Sequence, residues 1–174
     1  TVFKCDWNAG VCASHPTYFV GEEWWGRALD PRPRRRATFI PEVQPLLDVM
    51  GKATWPVGDA PHKANVVKLG MNFLLASAIE SMSEVVALAR RNDIPGEPVV
   101  EILTKTLFAA PAYKVYGPAI LEGSFKPGFK LPLGLKDVKL VLAAGEDSGA
   151  PMPFASLLRD NFIDAIAHGD GDKD

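Results

Sequence analysis

Two pairs of residues in the second half of the chain have types and spacing suited to chemistry. Lys68 and Asn72 are four apart, with apolar neighbours Val67, Leu69, Met71 and Phe73. On a helix that spacing stacks them on one face, one turn from each other. Two readings are open. They form a solvent-facing polar pair, or they face a cleft where partial desolvation tunes a lysine for proton transfer and the amide holds it. Lys136 and Asp137 interrupt another apolar stretch. They read as a surface ion pair in a solvated stripe with Lys139, or as a second positive charge placed at a polar or anionic ligand. Glu80 and Glu84 are also four apart. Helical carboxylate metal sites add Glu-x-x-His motifs, however, and His15, His62 and His168 are scattered without HExxH spacing, so no metal is expected. Arg34, Arg35 and Arg36 read as a solvated turn or a phosphate contact. The chain has no GxSxG, no Walker glycine loop and no GxGxxG.

The elements that position these residues are mostly helices. The stretch from Val66 to Arg91 is one long helix, apolar over more than one stripe through Val67, Met71, Leu74, Leu75, Ala78, Ile79, Met82, Val85, Val86 and Ala89, so it packs against several neighbours. Arg90 and Arg91 suit its C-terminal end. Turn residues at 92–96 lead to a second helix over Glu97–Thr106. A third runs over Ala112–Leu121, opened by Pro111 and interrupted at Gly117–Pro118. After a loop at Gly123–Lys130 come a fourth helix, Leu133–Ala144, and a fifth, Pro153–Ala167. The first 60 residues are less regular. Short strands are expected at Tyr18–Val20 and Thr38–Ile40, a helix at Pro41–Met50, and a strand at Ala53–Val57 broken by Pro56.

Composition narrows the classes. The chain has 174 residues, enough for one or two small domains. With 19 Lys and Arg against 21 Asp and Glu, the net charge of −2 argues against a nucleic-acid partner. No apolar run reaches the roughly 18 residues of a membrane span and no signal-peptide pattern opens the chain, so no membrane partner is expected. Two cysteines, Cys5 and Cys12, make no disulfide framework. A cytoplasmic protein is the expectation.

The stretch ANVVKLGMNFLLASAIESMSEVVALARRNDIP resembles the start of the C-terminal helical domain of the beta-hydroxyacid dehydrogenases, the superfamily of 3-hydroxyisobutyrate dehydrogenase and the 6-phosphogluconate-dehydrogenase-like oxidoreductases. Lys68 and Asn72 match its lysine and asparagine four residues apart on the long helix. FKLPLGLKDVKLVLAAGEDSGAPMPFASLLRDNF is similar to a second family stretch, with Lys136 and Asp137 on its Lys-Asp pair. The ending GDGDKD resembles the family's Gly/Asp-rich stretch, and LLDVMGKATWPVGD the end of its N-terminal domain. Where the family often has Gly-x-Gly before the lysine, this chain has His62 and Ala64.

The resemblance implies a mainly α fold. A 6-phosphogluconate dehydrogenase C-terminal-domain-like helical domain at 62–174 would bind substrate and form a homodimer. Residues 1–61 would be an incomplete or divergent end of an α/β Rossmann domain, with most of the cofactor half missing. It further implies an NAD(P)-dependent oxidoreductase that moves hydride between NADP or NAD and a small carbonyl or beta-hydroxy acid. Lys68 would be the general acid and base, and Asn72 would hold the substrate oxygen and orient Lys68. Lys136 would reach the substrate carboxylate or close the site against the nicotinamide, with Asp137 positioning Lys136. The alternatives are a non-catalytic dimerisation or ligand-binding domain and an imine-reductase-like enzyme. Lys68 favours C=O over C=N chemistry, since imine reductases of this type typically lack that lysine.

Overall fold

The computed structural model describes residues 2–3, 44–45, 48–49, 53–57 and 61–174. The expected strands at 18–20 and 38–40, both cysteines and the arginine triplet lie outside the described residues. The chain divides into two units, Thr1–Lys68 and Leu69–Asp174.

In the first unit, β1 (Val2–Phe3) pairs antiparallel with β2 (Trp55–Pro56), Val2 opposite Pro56 and Phe3 opposite Trp55. Pro56 therefore lies in the strand it was expected to break. In a two-stranded ribbon both strands are edges, where a missing N–H can be tolerated. Within the expected 41–50 helix, 44–45 and 48–49 are helical.

α1 (Pro61–Arg91) is 31 residues long and starts earlier than the expected Val66. Proline suits a first helical position because its missing N–H has no intrahelical acceptor there. The stretch Lys63–Arg91 is long and apolar enough to cross a membrane by length and composition, which corrects the expectation that no run qualifies. The apolar residues are spread around α1 among scattered polar ones, so the length of the stretch shows only when the helix is taken whole. Few of its residues are buried within the chain.

The second unit continues with α2 (Gly96–Lys105), α3 (Pro111–Glu122), α4 (Leu131–Ser148) and α5 (Pro153–Ala165), followed by a π turn over Ile166–Asp170. α1 ends on Asp93, whose φ of 58° is left-handed. There Ile94 N donates to Ala89 O at 3.0 Å and Asp93 N to Arg90 O at 3.3 Å, the paired bonds of a Schellman cap. α4 ends the same way on Gly149, with Ala150 N donating to Gly145 O at 2.8 Å. It runs through Ser148 and not only to Ala144, because Gly145 is buried tightly against Ala150 O and Met152 and keeps the last turn helical. α5 stops at Ala165, short of the expected Ala167, because the chain widens into the π turn before Gly169 at φ 92°.

The expected interruption at Gly117–Pro118 does not occur: α3 runs through both. Pro118 removes one helical donor, but Gly117 is buried where a Cβ would come within 2.6 Å of Val100 Cγ1. Close packing of α3 on α2 holds the helix together across the proline.

Two apolar clusters form the interior of this unit. Val138, Val141, Ala155 and Leu158 join α4 to α5, with Leu69, Phe73 and Ala76 of α1 against them. Met82, Val86 and Val100 form the other, with Tyr113, Tyr116 and Ile120 of α3 packed on it. At about 100° per residue, the 69–73–76 and 82–86 stripes lie on different sides of α1, about 130° apart. The helix therefore serves one cluster with its N-terminal half and the other with its C-terminal half.

The last residues clasp the loop before α4. Asp174 Oδ2 accepts from Gly128 N and Phe129 N, each at 2.9 Å. Leu131 N donates to Lys173 O at 3.0 Å, and Lys130 Nζ lies 2.6 Å from Asp172 Oδ1.

Candidate functional site

The polar cluster is built on the docking of α1 against α4. Leu69, Phe73 and Ala76 turn toward the α4–α5 cluster. Asn72 lies on the flank of that stripe, half-buried. On α4 the residues at 134, 137, 138, 141 and 145 fall within about 100° of one another and form the inward side. Val138, Val141 and Gly145 are buried there, and so is Asp137, at 3% exposure. A carboxylate on an apolar face is costly unless its oxygens are hydrogen-bonded or paired. Asp137 Oδ2 accepts from Asn72 Nδ2 at 2.6 Å. Its Oδ1 lies 3.7 Å from the Nζ of Lys136, whose own side chain is exposed.

Sequence-predicted residues from two distant stretches thus meet. Asn72 and Asp137 are 65 positions apart and directly bonded. Lys136 is adjacent in sequence, but its long, exposed contact is weaker than the short, part-buried one. The reading of Lys136 and Asp137 as a surface ion pair or solvated stripe therefore fits only Lys136. Asp137 bonds Asn72 at 2.6 Å and lies 3.7 Å from Lys136, the lysine it was expected to position. Lys68 belongs to the first unit, half-buried, one helical turn before Asn72 along α1. Glu80 of α1 accepts from Asn161 Nδ2 of α5 at 2.6 Å. That contact was not anticipated from the sequence, where Glu80 read only as one half of a Glu80–Glu84 spacing.

The donor set suits a small oxygen-bearing ligand. With one Asn72 N–H committed to Asp137, the amide keeps one N–H donor and its acceptor oxygen, and an ammonium brings up to three donors. Gripping a dinucleotide pyrophosphate takes a glycine-rich turn at a helix start. No such turn is present among the described residues.

A family model described as the NAD-binding domain of NADP-dependent 3-hydroxyisobutyrate dehydrogenase matches residues 63–174. The chain is 38% identical over 133 residues to an uncharacterized oxidoreductase, YfjR, of Bacillus subtilis (strain 168), covering 76% of this chain and 46% of that protein. It is 31% identical over 133 residues to glyoxylate/succinic semialdehyde reductase 1 of Arabidopsis thaliana, covering 76% of this chain and 46% of that protein. Among solved structures, 3-hydroxyisobutyrate dehydrogenase from Salmonella typhimurium superposes with a TM-score of 0.72 at 24% identity, over 78% of this chain and 47% of that one. This last likeness shows a shared fold, in keeping with the mainly α reading. The chain spans about half the length of the curated relatives it matches. The matched residues run through α1 to α5, the Lys68–Asn72 turn and the Lys136–Asp137 pair, and they place this chain in the family of the 3-hydroxyisobutyrate dehydrogenase NAD-binding domain.

Proposed function

We propose that the chain is the helical, substrate-facing part of an NAD(P)-dependent oxidoreductase acting on a small carbonyl or beta-hydroxy acid. The nicotinamide, as NADP or NAD, would exchange hydride with the substrate carbon. Everything else falls to this chain's own residues. The carbonyl oxygen gains negative charge as it is reduced and needs a proton. Lys68 is assigned as the general acid in that direction and the base in the reverse. Asn72 is assigned to the substrate oxygen. Lys136, exposed and cationic, is assigned to a substrate carboxylate. The carrying observation is the short, part-buried Asn72–Asp137 bond, which joins two stretches of the family match. The names of the relatives add the substrate class: one is a reductase of glyoxylate and succinic semialdehyde, another a 2-(hydroxymethyl)glutarate dehydrogenase. Each named compound carries a carboxylate beside or near a carbonyl or hydroxyl.

The proposal extends to a homodimer formed through the helical domain, supported by exposed apolar residues on α1 and α2. The test of function is oxidation of NADPH and of NADH by the full-length enzyme carrying this domain, with a panel of small aldehyde and keto acids. Turnover with acids and little with the matching neutral aldehydes is expected. No turnover with any member would remove the reading.

A further inference from the structure

We propose that Asp137 is a positioning residue whose buried carboxylate sets which end of the Asn72 amide faces the substrate. The inference rests on the assignment of Asn72 to the substrate oxygen. An asparagine side chain ends in an NH₂ and a C=O of nearly equal size, so packing alone scarcely distinguishes two orientations half a turn apart. A carboxylate oxygen only accepts. Placed 2.6 Å from the amide, Asp137 Oδ2 stabilises Nδ2 at that position and repels the amide oxygen. Its 3% exposure lowers the local screening and strengthens the preference.

The anchor is itself fixed. Asp137 sits inside α4 next to Val138, which is buried in the α4–α5 cluster, and Lys136 Nζ lies 3.7 Å from its other oxygen. One N–H of Asn72 is thereby committed. The remaining N–H and the carbonyl oxygen present a single donor–acceptor order to the substrate oxygen. The carboxylate touches neither substrate nor cofactor in this account; it acts through Asn72.

The test uses the full-length enzyme and a reciprocal pair. Asp137→Asn leaves two amides facing each other, which pair in either orientation. It should lower kcat/KM by about 10²-fold, the order of loss expected from misplacing a group at the reacting centre, with cofactor affinity unchanged. Combining Asn72→Asp with Asp137→Asn rebuilds the bond with its polarity reversed. The pair should recover the Tm lost in the single variant while turnover stays low. Recovery of turnover together with Tm would overturn the proposal, since a merely structural bond has no preferred direction.

A spectrum of the unaltered protein keeps the claim testable if the variants fold poorly. The Asn72 side-chain amide should show one proton shifted downfield and slow to exchange. Two equivalent, fast-exchanging protons would overturn it. This readout does not depend on turnover. If the spectral signature is present in a protein that turns over no substrate, the functional reading fails and the positioning of the amide stands.

Discussion

Asp137 is buried on the inward side of α4, where Asn72 donates to its carboxylate. Asn72→Leu removes that donor and leaves the carboxylate less well satisfied, at an expected cost of about 1–3 kcal/mol; urea denaturation measures it. Turnover should fall as well, since the same amide is assigned to the substrate. His168 makes a separate prediction. Its Nδ1 lies 2.9 Å from the Asp164 carbonyl oxygen and 3.5 Å from Asp164 Oδ1. The backbone contact first, and then the nearby carboxylate charge, raise its pKa above the ordinary 6.5. The folded state thus holds this proton more tightly than the unfolded chain. Its small stabilising contribution is complete below the unfolded value and is lost as pH rises through the folded one. An NMR titration should place the His168 midpoint above that of a histidine in an unstructured peptide. The four candidate residues were legible from sequence as two spacings. The bond joining Asn72 to Asp137 was not. Residues 136 and 137 look like one unit in the sequence, yet adjacent positions on a helix point about 100° apart. Only the docking of α1 on α4 decides which of the two turns inward.

At the level of elements, the helices of the second unit were readable from apolar periodicity and their opening prolines. Their ends were not, because they depend on left-handed caps and local packing. The Gly117–Pro118 pair is the clearest case. Local propensity predicts a break there, and contact between α3 and Val100 of α2 overrides it. Gly117→Ala places a methyl about 2.6 Å from Val100 Cγ1, and overpacking of this kind costs about 1–3 kcal/mol. A lower Tm is expected, and Val100→Ala in the same chain should restore part of it. The terminal clasp gives a second prediction. Asp174→Ala removes the acceptor shared by Gly128 N and Phe129 N. Amide exchange at those two positions should quicken, with a stability loss of about 1 kcal/mol.

In the second unit, α1 is the organising element. Two of its sides serve the two apolar clusters. A third carries Leu74 and Leu88, 56% and 65% exposed, and Val85 at 45%. This exposed side is the surface that the proposed homodimer would cover. Leu88→Glu should move sedimentation toward the monomer while leaving far-UV helicity unchanged. The mainly α architecture was legible because it is repeated over five amphipathic segments. The first 60 residues carry no comparable periodicity, and few of them are among those described. The claim on which the account turns is that Lys68 moves the proton at the substrate oxygen. It is tested most directly by steady-state NAD(P)H oxidation with the full-length enzyme and its Lys68→Ala variant. A loss of turnover of roughly 10²–10⁴-fold with cofactor affinity nearly intact is expected; turnover that survives the substitution unchanged would exclude that role for Lys68.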